Sequence, residues 1–110
     1  MSEYFVETYV GVHTADAEKV EVSYSNDTLV LRYVDWHEEP KFVEFKETLA
    51  FRWQELDDVT TPRDDMTYQV KNSQWLASQV SGIPARDGFA HYKLCFNACG
   101  VLDILCKAVS

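Results

Sequence analysis

Apolar and polar residues alternate with a period of two along much of the chain, which is the pattern of half-buried β-strands. Val20, Val22 and Tyr24, for example, alternate with Glu21 and Ser23. Similar alternation, or runs of β-branched and aromatic residues, predicts further strands at about residues 4–12, 28–36, 42–45, 49–53 and 67–70. Because most connections between these runs are too short for parallel crossovers, we expect the strands to pair antiparallel.

One segment instead has the features of a short helix. Asn72 or Ser73 can cap its amino end, since a short side-chain oxygen accepts a backbone amide of the first turn. The helix would run over residues 74–80 and stop at Gly82. We therefore predict a single domain, residues 1–110, of mainly β class, namely an antiparallel sandwich or partly open barrel of about 7–8 strands with one short helix near 73–80. The alternative is an α+β fold in which the helix packs on one antiparallel sheet.

The strongest local pattern is a pair of alternating runs, at residues 92–96 and 101–106, around a turn that ends in Gly100. It predicts a hairpin with a loop over residues 98–100, because a three-residue loop favours glycine in its last, left-handed position. A slip by one residue would mix polar and apolar partners on both faces. The apolar or amphipathic pairs expected in this register are Phe96 with Leu102, Leu94 with Ile104, and Tyr92 with Cys106.

This register decides how the three cysteines are placed. It sets Cys106 on the apolar face, Cys95 on the opposite face and Cys99 at the turn. We therefore expect no zinc site, because zinc ligands must converge on one ion. The register also separates His91 from Cys106, which a one-residue slip would place opposite each other as a possible base and nucleophile. Cys99 is the thiol that we expect to be exposed and open to oxidation.

Composition and charge limit the compartment and the partners. A chain of 110 residues that is 46% hydrophobic can bury one core. Its net charge of −8 opposes nucleic acid and anionic membranes, so we expect neither as a partner. No apolar run approaches the roughly 20 residues of a membrane span, and residues 1–4 lack the pattern of a signal peptide. An odd number of cysteines, three, is typical of a protein in a reducing cytoplasm.

The sequence contains no motif of catalysis or cofactor binding. The three histidines, His13, His37 and His91, share no metal-ligand spacing, and no second histidine follows His37 as in a metalloprotease motif. With four glycines in total, the chain has no phosphate-binding glycine loop. We therefore predict a protein that is not an enzyme and that binds no cofactor and no metal.

Acidic residues are concentrated in the first two-thirds of the chain. Residues 1–40 carry nine Asp and Glu against two Lys and Arg, whereas residues 71–110 carry two against four. Such asymmetry favours a one-sided acidic surface, which would attract a basic protein. An aromatic residue exposed within that surface would supply contact area. The candidate partner-binding residues are Trp36, Glu38, Glu39, Asp57, Asp58, Asp64 and Asp65.

These candidates also have simpler interpretations. The acids of residues 55–65 can form a solvated loop that binds nothing, and Trp36 can end a strand and pack on the core. We expect the other two tryptophans, Trp53 and Trp75, to lie in the core.

A small, acidic chain without a catalytic motif resembles the bacterial immunity proteins of toxin–immunity systems. The resemblance rests on these general properties and assigns no site residue. It implies a cytoplasmic binding protein that occludes a basic partner, such as a nuclease toxin whose phosphate-binding surface an acidic inhibitor can cover. The alternatives are a small-molecule-binding β domain and a structural interaction module. A homodimer formed through an edge strand is one arrangement of such a module.

Overall fold

The computed structural model describes residues 3–8, 17–54, 66–81, 88–96 and 100–109. In these segments the chain forms nine strands and one helix, arranged as two antiparallel sheets that do not close into a barrel. The mainly β sandwich with one short helix is therefore confirmed, with slightly more strands than predicted. The elements are β1 (Tyr4–Glu7), β2 (Glu18–Ser25), β3 (Thr28–Val34), β4 (Pro40–Lys46), β5 (Ala50–Gln54), β6 (Thr67–Lys71), α1 (Gln74–Val80), β7 (Ala90–Phe96), β8 (Gly100–Cys106) and β9 (Ala108–Val109).

The core lies between a five-stranded sheet, in the order β1-β6-β7-β8-β5, and a four-stranded sheet, in the order β2-β3-β4-β9. Every second residue of the central strands points into it, as the period of two requires. Full burial of such a side chain stabilises the fold by about 1.5–3 kcal/mol. The large buried apolar side chains of this core include Leu29, Leu31 and Phe45 from one sheet and Leu94, Phe96, Leu102 and Ile104 from the other.

Helix α1 has the predicted bounds and lies against the outer face of the five-stranded sheet. Its amino end is capped by Ser73, whose Oγ accepts a hydrogen bond from the Leu76 backbone amide at 3.1 Å. The ring of Trp75 contacts the ring of His91 on β7 edge to face, with the centroids 5.3 Å apart. Gly82, the predicted stop, lies outside the described residues. Because the helix has only seven residues, packing on the sheet rather than intrinsic propensity must hold it.

The register predicted for the C-terminal hairpin is wrong by two residues. The structure pairs Phe96 with Gly100 and Lys93 with Asp103, and residues 97–99 of the connection lie outside the described part of the chain. An even shift leaves every side chain on its predicted face, so Cys106 still points into the core and Cys95 away from it. The observed register sets opposite charges directly across the two strands, which the predicted one does not.

Two further predictions need correction or lie outside the described residues. Trp53 does not lie fully in the core, since 36% of its surface is exposed. It is on the edge strand β5, which has a neighbouring strand on one side only. Trp75 is half-buried. The first strand is described over Tyr4–Glu7, and the rest of its predicted range, from residue 9 onward, is outside the described residues.

Both cysteines in the described strands should be chemically inert in the folded protein. Cys95 and Cys106 are buried, and burial raises the pKa of the Cys106 thiol to about 12. At pH 8 roughly one such thiol in ten thousand is ionised. We expect iodoacetamide at this pH to leave both residues unmodified in native protein and to alkylate both in denaturant, as measured by peptide mass mapping. Rapid labelling of Cys106 in the folded state would contradict its placement in the core.

Candidate functional site

The turn between β3 and β4, residues 35–39, is held in one conformation by the side chain of Asp35. Its Oδ1 accepts hydrogen bonds from the backbone amides of His37 and Glu39, both at 2.9 Å. The backbone adds two bonds of 2.9 Å, from the Asp35 amide to the Glu39 carbonyl and from the Glu38 amide to the Asp35 carbonyl. Glu38 adopts a positive φ of 63° to close the turn. We call these five residues the Trp36 turn.

The Asp35 carboxylate is nearly buried at the base of the Trp36 turn, with 6% of the residue exposed. The hydrogen bond from the Glu39 amide lowers the pKa of Asp35 below its usual value, with a smaller contribution from the His37 amide. Desolvation opposes this shift but does not outweigh it. The ionised carboxylate is therefore the form that holds the turn at neutral pH.

The Trp36 turn presents an aromatic ring flanked by acids. Trp36 is 62% exposed, and its ring stacks on that of His37 with the centroids 3.5 Å apart. Glu38 and Glu39 are exposed beside it, and Glu39 forms an ion pair of 3.2 Å with Lys41. The simpler interpretation of Trp36, that it packs on the core, is wrong. It fails because Asp35 folds the chain back immediately after β3 and turns the tryptophan outward.

The structure brings together only part of the predicted partner-binding set. Trp36, Glu38 and Glu39 share one turn. The other four candidates lie outside the described residues, so their proximity to the turn stays a prediction. They are Asp57, Asp58, Asp64 and Asp65.

Charge is divided unevenly between the two sheets. Residues 17–47, which form β2 to β4 and their turns, carry eight Asp and Glu against four Lys and Arg. The remaining described residues carry three against four. In the described part of the chain, the acid excess therefore belongs to the four-stranded sheet, which also carries the Trp36 turn.

A second group of polar residues, which the sequence analysis missed, surrounds a buried carboxylate on the outer face of the five-stranded sheet. Asp103 on β8 has no solvent exposure, and its Oδ1 lies 2.7 Å from His91 Nε2. Lys93 Nζ lies 3.3 Å from the same oxygen, and Arg52 Nε lies 3.3 Å from Oδ2. The other ring nitrogen of His91, Nδ1, lies 2.7 Å from Ser73 Oγ. We call these five residues the Asp103 cluster.

Several forces set the protonation of Asp103. Burial alone would raise its pKa, but the hydrogen bond with His91 and the positive charges of Lys93 and Arg52 together outweigh burial, and the pKa lies below its usual value. The guanidinium of Arg52 also lies over the ring of Trp75, 4.3 Å from its centroid. The ionised carboxylate thus links β5, β7 and β8 with the helix.

The connectivity of Ser73, His91 and Asp103 matches that of a catalytic triad. A neutral imidazole satisfies both contacts if Nε2–H donates to Asp103 and Nδ1 accepts the Ser73 hydroxyl proton. Two features favour a structural role. Ser73 Oγ already caps the helix, and a protonated His91 would be a third positive charge beside one carboxylate that already serves Lys93 and Arg52. We interpret the cluster as the attachment of the helix to the sheet.

The sequence signal for the Asp103 cluster was present but needed the correct register. His91 and Lys93 alternate with apolar residues on β7, and Asp103 interrupts an otherwise apolar β8. A lone acid in a buried strand requires a cationic or hydrogen-bonding partner. Applied to the hairpin, that requirement selects the register in which Lys93 faces Asp103.

Within the described segments, no three His, Cys, Asp or Glu side chains are arranged to hold a metal ion. In the same segments, the one helix is far shorter than a bilayer-spanning helix.

Removal of His91 should destabilise the fold. The substitution His91→Ala removes the shortest hydrogen bond of the buried Asp103 carboxylate and the buried hydrogen-bond partner of the Ser73 hydroxyl, and we expect a loss of about 2–4 kcal/mol in the free energy of unfolding by urea. His37→Ala is the matched control, since this histidine is exposed, and we expect a change within about 0.5 kcal/mol. Equal losses in the two variants would show that the cluster does not hold the fold.

Stability should also depend on the ionisation of Asp103. Because its pKa is lower in the folded than in the unfolded chain, its contribution is complete above the unfolded value, near pH 4, and is lost as the pH falls through the folded value. We therefore expect Asp103→Asn to be less stable than wild type at pH 6, and the difference to narrow below about pH 4. Chemical unfolding across this range measures it, and a difference that stays constant with pH would contradict the assignment.

Comparisons with known proteins identify no relative of this chain. No protein-family model matches it, and no curated protein or solved structure matches it at a significant level. A functional assignment therefore depends on the geometry of the chain itself.

Proposed function

We propose that the protein binds and occludes a basic protein partner, with the Trp36 turn at the centre of the contact surface. The observation that carries the proposal is the 62% exposure of Trp36 on a turn fixed by hydrogen bonds. Tryptophan is among the residues that contribute most binding energy when a partner covers them. A turn that is ordered before association also loses little conformational entropy on binding.

The acid excess of the four-stranded sheet supports a basic partner. Glu38 has no ion-pair partner in the described part of the chain, whereas Glu39 is engaged by Lys41. Charges at the rim of an interface mainly raise the association rate and select the partner, while a central aromatic residue mainly slows dissociation. The Trp36 turn combines both features within five residues.

The outer face of the four-stranded sheet extends this surface. Phe42 on β4 is 66% exposed, and its cross-strand neighbour is Arg32, which in turn faces Glu21 on β2. The next row of the same face contains Glu44. An aromatic and an arginine with acids around them have the composition of an interface centre with a polar rim.

Bacterial immunity proteins, which the chain resembles, perform this kind of occlusion. In that interpretation the partner is a toxin, such as a nuclease with a basic phosphate-binding surface, and the complex forms in the cytoplasm. A protein that only blocks another needs no catalytic group of its own. A structural interaction module remains the alternative for the same surface, with a second copy of the chain in place of the basic partner.

Loss of Trp36 should weaken this complex. Native mass spectrometry of the protein, purified gently at low salt from its own cells, should show a basic protein at fixed stoichiometry that dissociates as salt rises. With that partner purified, we expect Trp36→Ser to lower the affinity about 30-fold, the effect of a central aromatic residue. Tyr4→Ser is the control, because Tyr4 is 55% exposed but lies on the other sheet, and it should leave the affinity unchanged.

The acids are tested separately from the tryptophan. The double substitution Glu38→Gln and Glu39→Gln should slow association and reduce its salt dependence, with thermal unfolding little changed.

A bare species of 12.7 kDa in the mass spectrum, or equal effects of the Trp36 and Tyr4 substitutions, would reject the proposal. A dimer of this chain would instead support the structural module.

A further inference from the structure

The outer face of the four-stranded sheet contains a cleft of about 430 Å³ next to the Trp36 turn. Leu31 and Tyr33 of β3 point into the core, so their neighbours Arg32 and Val34 point outward. The cleft is lined mainly by outward side chains of β2, β3 and β4, which are Lys19, Glu21, Arg32, Val34, Pro40 and Phe42. Its volume is within the range of sites that enclose a small ligand or a ligand group.

A β-bulge in β2 supplies one side of this cleft. Lys19 and Val20 together oppose Tyr33 of β3, because the pairing shifts between Glu18 and Glu21. Lys19 has a positive φ of 52°, a conformation that costs free energy in a residue with a side chain. Val20 packs against the core, whereas Lys19 lines the cleft. Bulges often direct a side chain toward a functional site, so this one marks the same surface independently of the cleft volume.

The charged groups of the cleft are of both signs. In the part of the chain that the structure describes, Lys19 and Glu21 form no ion pair, and Arg32 donates a hydrogen bond of 3.2 Å to the Ser23 hydroxyl. A third cation of the lining, Lys41, is already engaged by a glutamate of the Trp36 turn. The two available cations oppose a lysine or arginine of a partner, and the carboxylate opposes an acid. The charges therefore favour a neutral occupant.

The chemistry of the lining favours an aromatic ring that carries a hydrogen-bond donor. Phe42 is 66% exposed, and Val34 and Pro40 extend its apolar surface. Ammonium and guanidinium groups, here those of Lys19 and Arg32, attract the face of an aromatic ring, which an aliphatic group does not offer. An ionised carboxylate accepts hydrogen bonds and donates none, so a ring with an N–H or O–H group can gain one bond that a phenyl ring cannot.

We propose that this cleft receives a tryptophan or tyrosine side chain of the partner protein, with its ring against Phe42 and its N–H or O–H group on Glu21. The inference rests on the partner-binding proposal and deepens it, because Val34 and Pro40, which line the cleft, directly flank the Trp36 turn. Residues that dominate binding tend to meet their counterparts on the partner. An aromatic residue of the partner beside the Trp36 turn is the arrangement expected at the centre of an interface.

N-acetyl-L-tryptophanamide, a neutral analogue of a tryptophan residue within a chain, is the probe. Titrated into the isotope-labelled protein and followed by NMR, it should give saturable shifts at the bulge of β2, the end of β3 and the start of β4. N-acetyl-L-leucinamide has no ring and should bind at least about tenfold more weakly. The analogue methylated at the indole nitrogen has no donor and should bind about threefold more weakly, and Glu21→Ala should remove that difference.

Variants of the cleft provide the second arm of the test. Phe42→Ser should reduce the affinity for the probe about tenfold, whereas Tyr4→Ser, at a residue that is 55% exposed on the other sheet, should not change it. Lys19→Gly keeps the bulge, because glycine adopts a positive φ without strain, but removes the ammonium group and should reduce the affinity about threefold. Lys46→Gln, at an exposed lysine on β4, should have no effect.

Three results would overturn the proposal: no saturable binding by the wild-type protein, equal binding of N-acetyl-L-leucinamide, or equal affinity of the Phe42 and Tyr4 variants for the probe. The probe binds without the partner, so the cleft is tested separately from the complex. Trp36→Ser should leave probe binding intact and weaken only the complex with the partner protein. Failure of the cleft and failure of the partner-binding proposal are therefore distinguishable.

Discussion

The buried carboxylate of Asp103 constrains most of the five-stranded sheet and the helix on it. A charge without solvent contact costs several kcal/mol unless it is paired and hydrogen-bonded. Two neighbouring strands supply the partners: Arg52 from β5, and His91 and Lys93 from β7. All of these partners reach Asp103 on one face of the sheet. The need to pair this carboxylate therefore fixes both the register of β7 with β8 and the position of β5.

The helix is attached through this cluster rather than through a buried apolar face. Ser73 caps the helix and contacts His91, and Trp75 contacts both His91 and Arg52. These contacts all involve the first turn of the helix. The later residues Leu76 and Val80 are only half-buried, and both line a groove of about 440 Å³ between the helix and strands β6 and β7. An attachment at one end thus explains why a helix of this length can remain ordered without burying its apolar side chains.

Local pattern was enough to predict the class, most strands and the helix: alternation indicated the strands, and the capping and stop residues indicated the helix. Ser73 was identified as a cap on the same local basis. Register was not predictable in this way, because Leu94 and Tyr92 find apolar partners on β8 in either of two registers that differ by two residues. The choice between them comes from Lys93 and Asp103, whose pairing is electrostatic. The exposure of Trp36 was similarly undetermined, because it depends on hydrogen bonds that Asp35 makes to residues two and four positions later.

The two sheets combine their polar and apolar groups in opposite ways. The five-stranded sheet buries His91, Lys93 and Asp103, where they hold the fold and cannot meet a partner. The four-stranded sheet keeps its acids other than Asp35 at least partly exposed and leaves Trp36 and Phe42 in solvent. The exposed aromatic rings are not part of the core. The Asp35 side chain nevertheless holds the turn that keeps the Trp36 ring exposed. A residue used to fix an exposed ring in place is better explained by recognition than by stability, because the same turn with a polar residue in place of Trp36 would retain every one of its hydrogen bonds.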